Sequence, residues 1–273
     1  MSIRILAVVV TYFPEKDLLK DNIAAFIDEV DRVLIWENTP EEIKMQYRYI
    51  DNSKVEYCGD GVNSISHGLN YAWEYANTQG YDYLLTVDQD SVFQNFTELK
   101  EYAYKHTSQM MLLGPWFSAK KNLSLPSVKV EALITSGMLV PLKILNSLEG
   151  YNETLTIDGV DTDLCLRANQ KGFYSYQVTS CFMQQRFGQP FVKIHKGKEH
   201  HFYSYPAKRL RSIVKSHIYL MRKYPNMSLE MRNNIKDRYI INRIKSILLF
   251  EDQKIFKIFA IFIGFIEGKT MKI

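Results

Sequence analysis

The 273-residue sequence predicts an α/β protein with a mixed, mostly parallel central sheet, flanking helices and a helical C-terminal extension. Three observations predict it. Short β-rich apolar runs alternate with helix-spaced segments along the first part of the chain. Two carboxylates, Asp88 and Asp90, close one of those runs, where open α/β sheets bind their ligands. Beyond about residue 206 the pattern becomes helical and basic.

Ile5 to Tyr12 is continuously apolar and β-rich, as in a strand buried on both faces. Phe13-Pro14 breaks it, and a helix is expected to about Val30. Arg32 to Trp36 is the next strand. In "ENTPEE", Thr39 reads as an N-cap, Pro40 as the first helical residue and Glu42 as the partner in a capping box. Lys54 to Cys58 is a third strand, and Gly59-Asp60-Gly61 turns the chain into a helix. Ile65, Leu69, Ala72, Trp73 and Ala76 give that helix its apolar face. The strand ending at Asp88 follows.

Met110 to Gly114 reads as a strand, then comes the loop "PWFSAKKNLSLPS". Lys129 to Val140 is extended but interrupted by Thr135-Ser136-Gly137. In "IDGVDTDLCLRANQKG", Asp158, Asp161 and Asp163 precede a short helix, with Asp161 or Asp163 at its N-terminus and Gly172 as its C-cap. Acids there also serve simply as caps that favour the helix N-terminus. Likewise, a bare D-x-D also occurs in ordinary turns.

The composition is 46% hydrophobic and 23% charged, ordinary for a globular chain. A net charge of +4 is too small to argue for a nucleic-acid partner. Cys58, Cys165 and Cys181 are an odd set without C-x-x-C spacing, which points to a reducing compartment and away from structural zinc. The N-terminus enters a strand without the features of a signal peptide. No run reaches the roughly 20 apolar residues that span a bilayer. A cytoplasmic protein is expected.

The pieces "VVVTYFP", "LIWENTP", "GYDYLLTVDQDS", "ITSGMLVP", "GYNETLTIDGVDTDLCLRANQKGF" and "YLMRKY", spread over Ile3 to Tyr224, resemble family 2 glycosyltransferases, in particular their bacterial rhamnosyltransferase-like branch. The resemblance implies a GT-A fold over residues 1–205, with a nucleotide-binding half to about 115, an acceptor half over about 116–205, and a helical extension over 206–273. It implies inverting transfer of rhamnose or another hexose from a dTDP- or UDP-linked donor. The acceptor would be a glycan or polyprenyl-diphosphate-linked oligosaccharide in surface polysaccharide assembly.

It also implies roles. Asp90, with Asp88, matches the acids that hold Mn²⁺ or Mg²⁺, hard ions suited to oxygen ligands. Asp88 also falls among the nucleotide contacts, with Thr11, Tyr12, Glu37 and Asp60. Asp161 matches the catalytic base, and Asp163 a structural or capping neighbour. Thr135, Ser136 and Gly137 match the donor and acceptor loop, where Gly allows close backbone approach.

Four departures stand out. Val160 replaces an acid common before the base. Glu37 stands where Asp is usual. Gln185, in "CFMQQRFG", replaces a His, for which His195, His200 or His201 could substitute, unless these are surface residues. Lys215 replaces an Arg toward the diphosphate and loses its bidentate geometry.

The tail from Lys254 to Ile266 carries Phe256, Phe259, Phe262 and Phe265 at every third position. It is too short to span, and fits either an interfacial helix on the inner membrane face or a packed helix, in the domain or a homodimer seam. Two other functions remain: a non-catalytic glycan-assembly partner that retains the fold, and a nucleotidyltransferase. The latter is disfavoured because no Gly-rich phosphate loop with Lys or Arg opens the chain.

Overall fold

This computed structural model describes residues 3–117, 125–185, 189–195 and 198–273. The loop around 118–124 lies outside the described residues. The chain forms two compact units, Met1–Arg186 and Phe187–Ile273.

The first unit opens with β1 (Ile5–Thr11), α1 (Lys16–Ala24), β2 (Arg32–Glu37), β3 (Val55–Cys58), α2 (Ile65–Thr78) and β4 (Tyr83–Asp88). Next come β5 (Ser91–Gln94), α3 (Phe96–Lys105), β6 (Met111–Trp116), β7 (Ser127–Val130) and β8 (Met138–Pro141). It closes with α4 (Leu142–Leu148), α5 (Val160–Gln170) and β9 (Tyr174–Gln185). The described strands make one nine-stranded sheet, ordered β3-β2-β1-β4-β8-β6-β9-β5, with β7 also on β9. β1 to β4 are mutually parallel, and β8 runs antiparallel to β4 and β6.

The alternation of side chains along β1 explains both layers. Ile5, Ala7 and Val9 bury against Leu19, Ile23 and Phe26 from the α1 side. Leu6 and Val8 face the other way, toward α2, whose Leu69, Ala72 and Ala76 are fully buried. Trp36 lies against α2 at Gly68, where an added Cβ would come within 2.3 Å of the indole.

Two local expectations are corrected. α1 stops at Ala24 and gives way to a 3-10 turn at Ile27–Glu29, so the helix does not reach Val30. Thr39 caps no helix. Its hydroxyl instead accepts from the Phe13 amide at 2.9 Å, and Phe13 takes a left-handed φ of 47°. A long-range bond between the first two strand ends thus replaces the local cap, and the chain after Pro40 forms turns up to a 3-10 segment at Lys44–Tyr47.

The second unit contains the hairpin β10 (Gln189–His195) and β11 (Lys198–Ser204), then α6 (Ala207–Lys223), α7 (Leu229–Lys236), α8 (Asn242–Phe250) and α9 (Lys254–Thr270). The hairpin belongs with the helices: Phe202 stacks on Phe250 at 5.5 Å, and Lys257 donates to the Ser204 hydroxyl at 2.9 Å. α6 and α9 approach closely because Gly264 and Gly268 face α6. A Cβ on either would lie 2.4 Å from the Arg211 carbonyl or 2.5 Å from that of Lys215. Among the described residues, no helix is long and apolar enough to cross a membrane.

Candidate active site

The parallel strands deliver their C-terminal ends to one edge. Thr11 pairs with Glu37 across β1 and β2, Trp36 with Cys58 across β2 and β3, and Val10 with Asp88 across β1 and β4. Thr11, Glu37, Asp60 and Asp88 therefore share a sheet edge, although they lie far apart in sequence.

Asp88 ends β4, and Gln89-Asp90 forms the tight turn into β5. Two side chains from elsewhere hold this turn, and one of its own ties it to β1. Asn22 of α1, fully buried, donates to the Asp88 carbonyl at 2.9 Å and to the Ser91 carbonyl. The Ser136 hydroxyl accepts from the Asp88 amide at 3.0 Å. Gln89 brackets the β1 end, accepting from the Tyr12 amide at 2.7 Å and donating to its carbonyl at 3.2 Å. The middle residue of the D-Q-D triplet thus ties the acid turn to Tyr12.

Gln185 ends β9 and is in register with Ser91. Its amide donates to an Asp88 carboxylate oxygen at 2.9 Å, while its own carbonyl oxygen is buried with no partner among the described residues. The described residues contain no group of three or more His, Cys, Asp or Glu side chains arranged for a metal. An Mg²⁺-like ion carried by a diphosphate needs fewer protein ligands, because water and phosphate oxygens fill its remaining positions. Asp88, Asp90 and the orphaned Gln185 oxygen fit such a substrate-borne ion better than a closed protein cage. The side chains of His195 and His200 lie outside the described residues. His201 is exposed on β11, 3.7 Å from Glu199.

Asp161 lies in the first turn of α5, which starts after Gly159 at φ +78°. Its carboxylate accepts from the Thr162 amide at 2.6 Å and from the Thr135 amide at 3.1 Å. Burial raises its pKa above the ordinary carboxylate value, against those hydrogen bonds, which favour the charged form. Two residues on, Asp163 is fully buried and paired with Arg167 at 2.7 Å, with Asn152 donating to its other oxygen at 3.2 Å. It is a structural anchor, as its sequence position suggested.

The Thr135-Ser136-Gly137 loop touches both acid sites. Thr135 binds Asp161 through its amide, and Ser136 binds Asp88 through its hydroxyl. Gly137, at φ +83°, donates to the Thr86 carbonyl at 2.7 Å. A Cβ there would meet Pro115 at 2.7 Å and Met183 at 2.9 Å, so only glycine fits.

Glu37 is almost wholly buried, and both its carboxylate oxygens are engaged by Arg48 at 2.7–3.2 Å. Gly59, at φ +147°, lets the β3 end pass that close, since a Cβ would lie 2.5 Å from the Glu37 carbonyl. Asp60 accepts from His67 at 2.9 Å, and His67 also reaches Glu153 at 3.4 Å. Burial opposes the charged imidazole, but the two carboxylates outweigh it and raise its pKa. Arg48 and His67 escaped the sequence reading, because each meets its partner on a different element, with no local pattern that pairs them. Lys215 belongs to the second unit, on α6, where it faces Glu267 electrostatically.

No family model matches the chain. The curated dTDP-rhamnosyl transferase RfbF of Shigella flexneri is 26% identical over 216 residues, covering 71% of this chain and 73% of the relative. Among solved structures, GalNAc-T7 with UDP, GalNAc and Mn²⁺ aligns with a TM-score of 0.61 at 11% identity over 95% of this chain. This chain covers 54% of that one, about half its length. TarS 1-349 of S. aureus aligns with a TM-score of 0.52 at 11% identity, over 97% of this chain and 81% of that one.

The fold is GT-A. In GT-A terms, the parallel β1 to β4 edge with Asp88 lies on the amino-terminal side, and Asp161 comes from the helix that precedes β9. The Thr135 to Gly137 loop joins the two.

Proposed function

We propose that this chain is an inverting, metal-dependent glycosyltransferase that moves rhamnose or another hexose from a dTDP- or UDP-linked donor. Its acceptor is a glycan or lipid-linked oligosaccharide presented at the cytoplasmic face of the membrane during surface polysaccharide assembly. The observation that carries this is the bridge between Asp88 and Asp161 by one loop, which puts an acid turn for a diphosphate beside a carboxylate suited to base work. The rhamnosyltransferase relative and the GT-A neighbours support the class of activity.

In this reading Asp161 takes the proton of the acceptor hydroxyl as its oxygen attacks the anomeric carbon. The new C–O bond forms on the face opposite the departing diphosphate, which leaves with the bonding pair, so the configuration inverts. A pKa raised by burial suits a base that must accept a proton near neutral pH. Asp88 and Asp90 would hold the divalent ion, with the Gln185 oxygen as a further donor. When bound, that ion offsets the charge gathering on the leaving nucleotide. Thr11, Tyr12, Glu37 and Asp60 line the sheet edge where the nucleoside would lie, and the Glu37–Arg48 pair presents a fixed polar group there.

The test is calorimetry of nucleoside diphosphate binding with and without Mn²⁺, followed by a screen of nucleotide sugars for turnover. Wild type is expected to bind in a metal-dependent way, and Asp90→Ala to lose that dependence. Equal affinity in both proteins would remove the metal role. Binding without turnover on any donor and acceptor would favour the non-catalytic partner.

A further inference from the structure

Charge is divided sharply along the chain. Residues 187–273 carry 18 Lys and Arg against 6 Asp and Glu, a net +12, so the remainder carries −8 within the overall +4. The second unit is thus strongly cationic, a property that the modest total conceals. Such asymmetry suggests a polyanionic partner.

The same unit exposes an apolar helix face. On α9, Lys257, Ala260, Ile261, Gly264 and Gly268 are buried, toward α6. The outward side carries Ile255 (83% exposed), Phe256 (72%), Phe259 (61%), Phe262 (57%), Phe265 (40%) and Ile266 (43%). This reverses the usual arrangement, in which the outward face of a surface helix is polar. The neighbouring end of α8 adds exposed Leu248 and Leu249, which Lys254 joins to α9 by donating to the Leu248 carbonyl at 2.7 Å.

Cations stand at both ends of this face, with exposed Lys254 at one and exposed Lys269 and Lys272 at the other. Of the nearest acids, Asp252 is exposed beside Lys254, and the other two are engaged within the unit. Glu251 is buried among Lys257, Arg243 and Ser204, and Glu267 is paired with Arg211. A protein partner that covered such a face would need matching apolar and acidic surface. An anionic bilayer supplies both, with acyl chains for the Phe side chains and lipid phosphates for the flanking Lys.

We propose that the second unit docks on an anionic lipid surface through the outward face of α9, with Phe256, Phe259 and Phe262 entering the acyl boundary and Lys254, Lys269 and Lys272 at the headgroups. The helix lies in the interface plane, because its 17 residues are too short to span. This does not depend on the catalytic reading.

The experiment is sedimentation of the full chain with vesicles of phosphatidylglycerol and phosphatidylcholine, and with phosphatidylcholine alone. Binding is expected to the anionic vesicles and to fall with added salt. Because the three Phe side chains are solvent-facing, Phe256→Ser/Phe259→Ser/Phe262→Ser should fold normally by circular dichroism, yet bind at least ~tenfold more weakly, since each loses apolar burial in lipid. Lys269→Glu/Lys272→Glu should lose the anionic preference. Wild type that fails to sediment with vesicles overturns the proposal, as does a folded triple variant that binds like wild type. A wild-type dimer that the triple variant converts to monomer, without lipid binding in either, would assign the face to a second copy of the chain.

Discussion

The Gln185 amide donates to the Asp88 carboxylate at 2.9 Å, joining the end of β9 to the end of β4 across the acid turn. The two residues are 97 positions apart. The bond leaves the Gln185 carbonyl oxygen buried and, among the described residues, unpaired, directed by an amide whose other end is already fixed. A buried polar atom without a partner is costly, and under the proposed function the bound ion would supply one.

Gln185→Ala should therefore weaken nucleoside diphosphate binding in the presence of Mn²⁺. Hydrogen bonds to charged groups contribute about 1.5–3 kcal/mol, which corresponds to roughly a ten- to hundredfold loss. Titration calorimetry with and without the ion reads it directly. Unchanged affinity would show that Gln185 only supports the fold.

Asp161→Asn should leave donor affinity nearly unchanged and lower kcat by about a hundred- to ten-thousandfold, because a base acts on the transition state. The wild-type pH profile should show an acid limb at a pH above the ordinary Asp range, as burial raises this carboxyl. That limb should vanish in the variant. A mutant rate within a few-fold of wild type would direct attention to Asp158.

Gly137→Ala and Gly172→Ala make a controlled pair. Both glycines have φ near +84°, but a Cβ on Gly172 meets nothing within 4 Å, whereas one on Gly137 meets Pro115 and Met183. Both variants should lose the roughly 1 kcal/mol that a left-handed non-glycine residue costs. Gly137→Ala should lose about 1–3 kcal/mol more from overpacking. Urea denaturation measures both, and equal losses would refute the steric account.

His217 is buried in α6, donates through Nδ1 to the Ile213 carbonyl at 2.7 Å and stacks on Tyr239 at 3.8 Å. Burial lowers its pKa from 6.5 to about 4. The sign follows: the folded state resists protonation, so this contribution to stability is full above pH 6.5 and is lost as pH falls toward 4. Linkage over that span is worth about 3 kcal/mol. His217→Phe should remove this acid sensitivity, so melting curves of wild type and variant should converge or cross as pH drops. Parallel curves would place the acid sensitivity elsewhere.

The strand runs Ile5 to Tyr12 and Tyr83 to Val87, the acid pair at Asp88 and Asp90, and a helix carrying Leu164, Leu166 and Ala168 were all legible in the sequence, although that helix begins at Val160, ahead of Asp161 and Asp163. Each is encoded by local periodicity, turn chemistry or residue type within a few positions. The apolar repeat of Phe256, Phe259, Phe262 and Phe265 was equally visible. Its outward direction was not, because burial depends on which side of α9 meets α6, and Gly264 and Gly268 decide that. Thr39 shows the same limit: the local pattern reads as a helix cap, but a bond from Phe13 across two strands wins.

What the tertiary structure alone decided is which groups meet. Parallel pairing in register brings Thr11, Glu37 and Asp88 to one edge, and no local pattern encodes register between strands. Arg48 on Glu37 and His67 on Asp60 join neighbouring elements, while Glu153 on His67 and Asn22 beneath the acid turn are contacts between residues 86 and 66 positions apart. The sequence determined the elements and the chemical types at their ends, because those follow from short-range sterics and hydrophobic periodicity. The fold determined the pairings, because hydrogen bonds and ion pairs form between whatever side chains the packed sheet brings within about 3 Å.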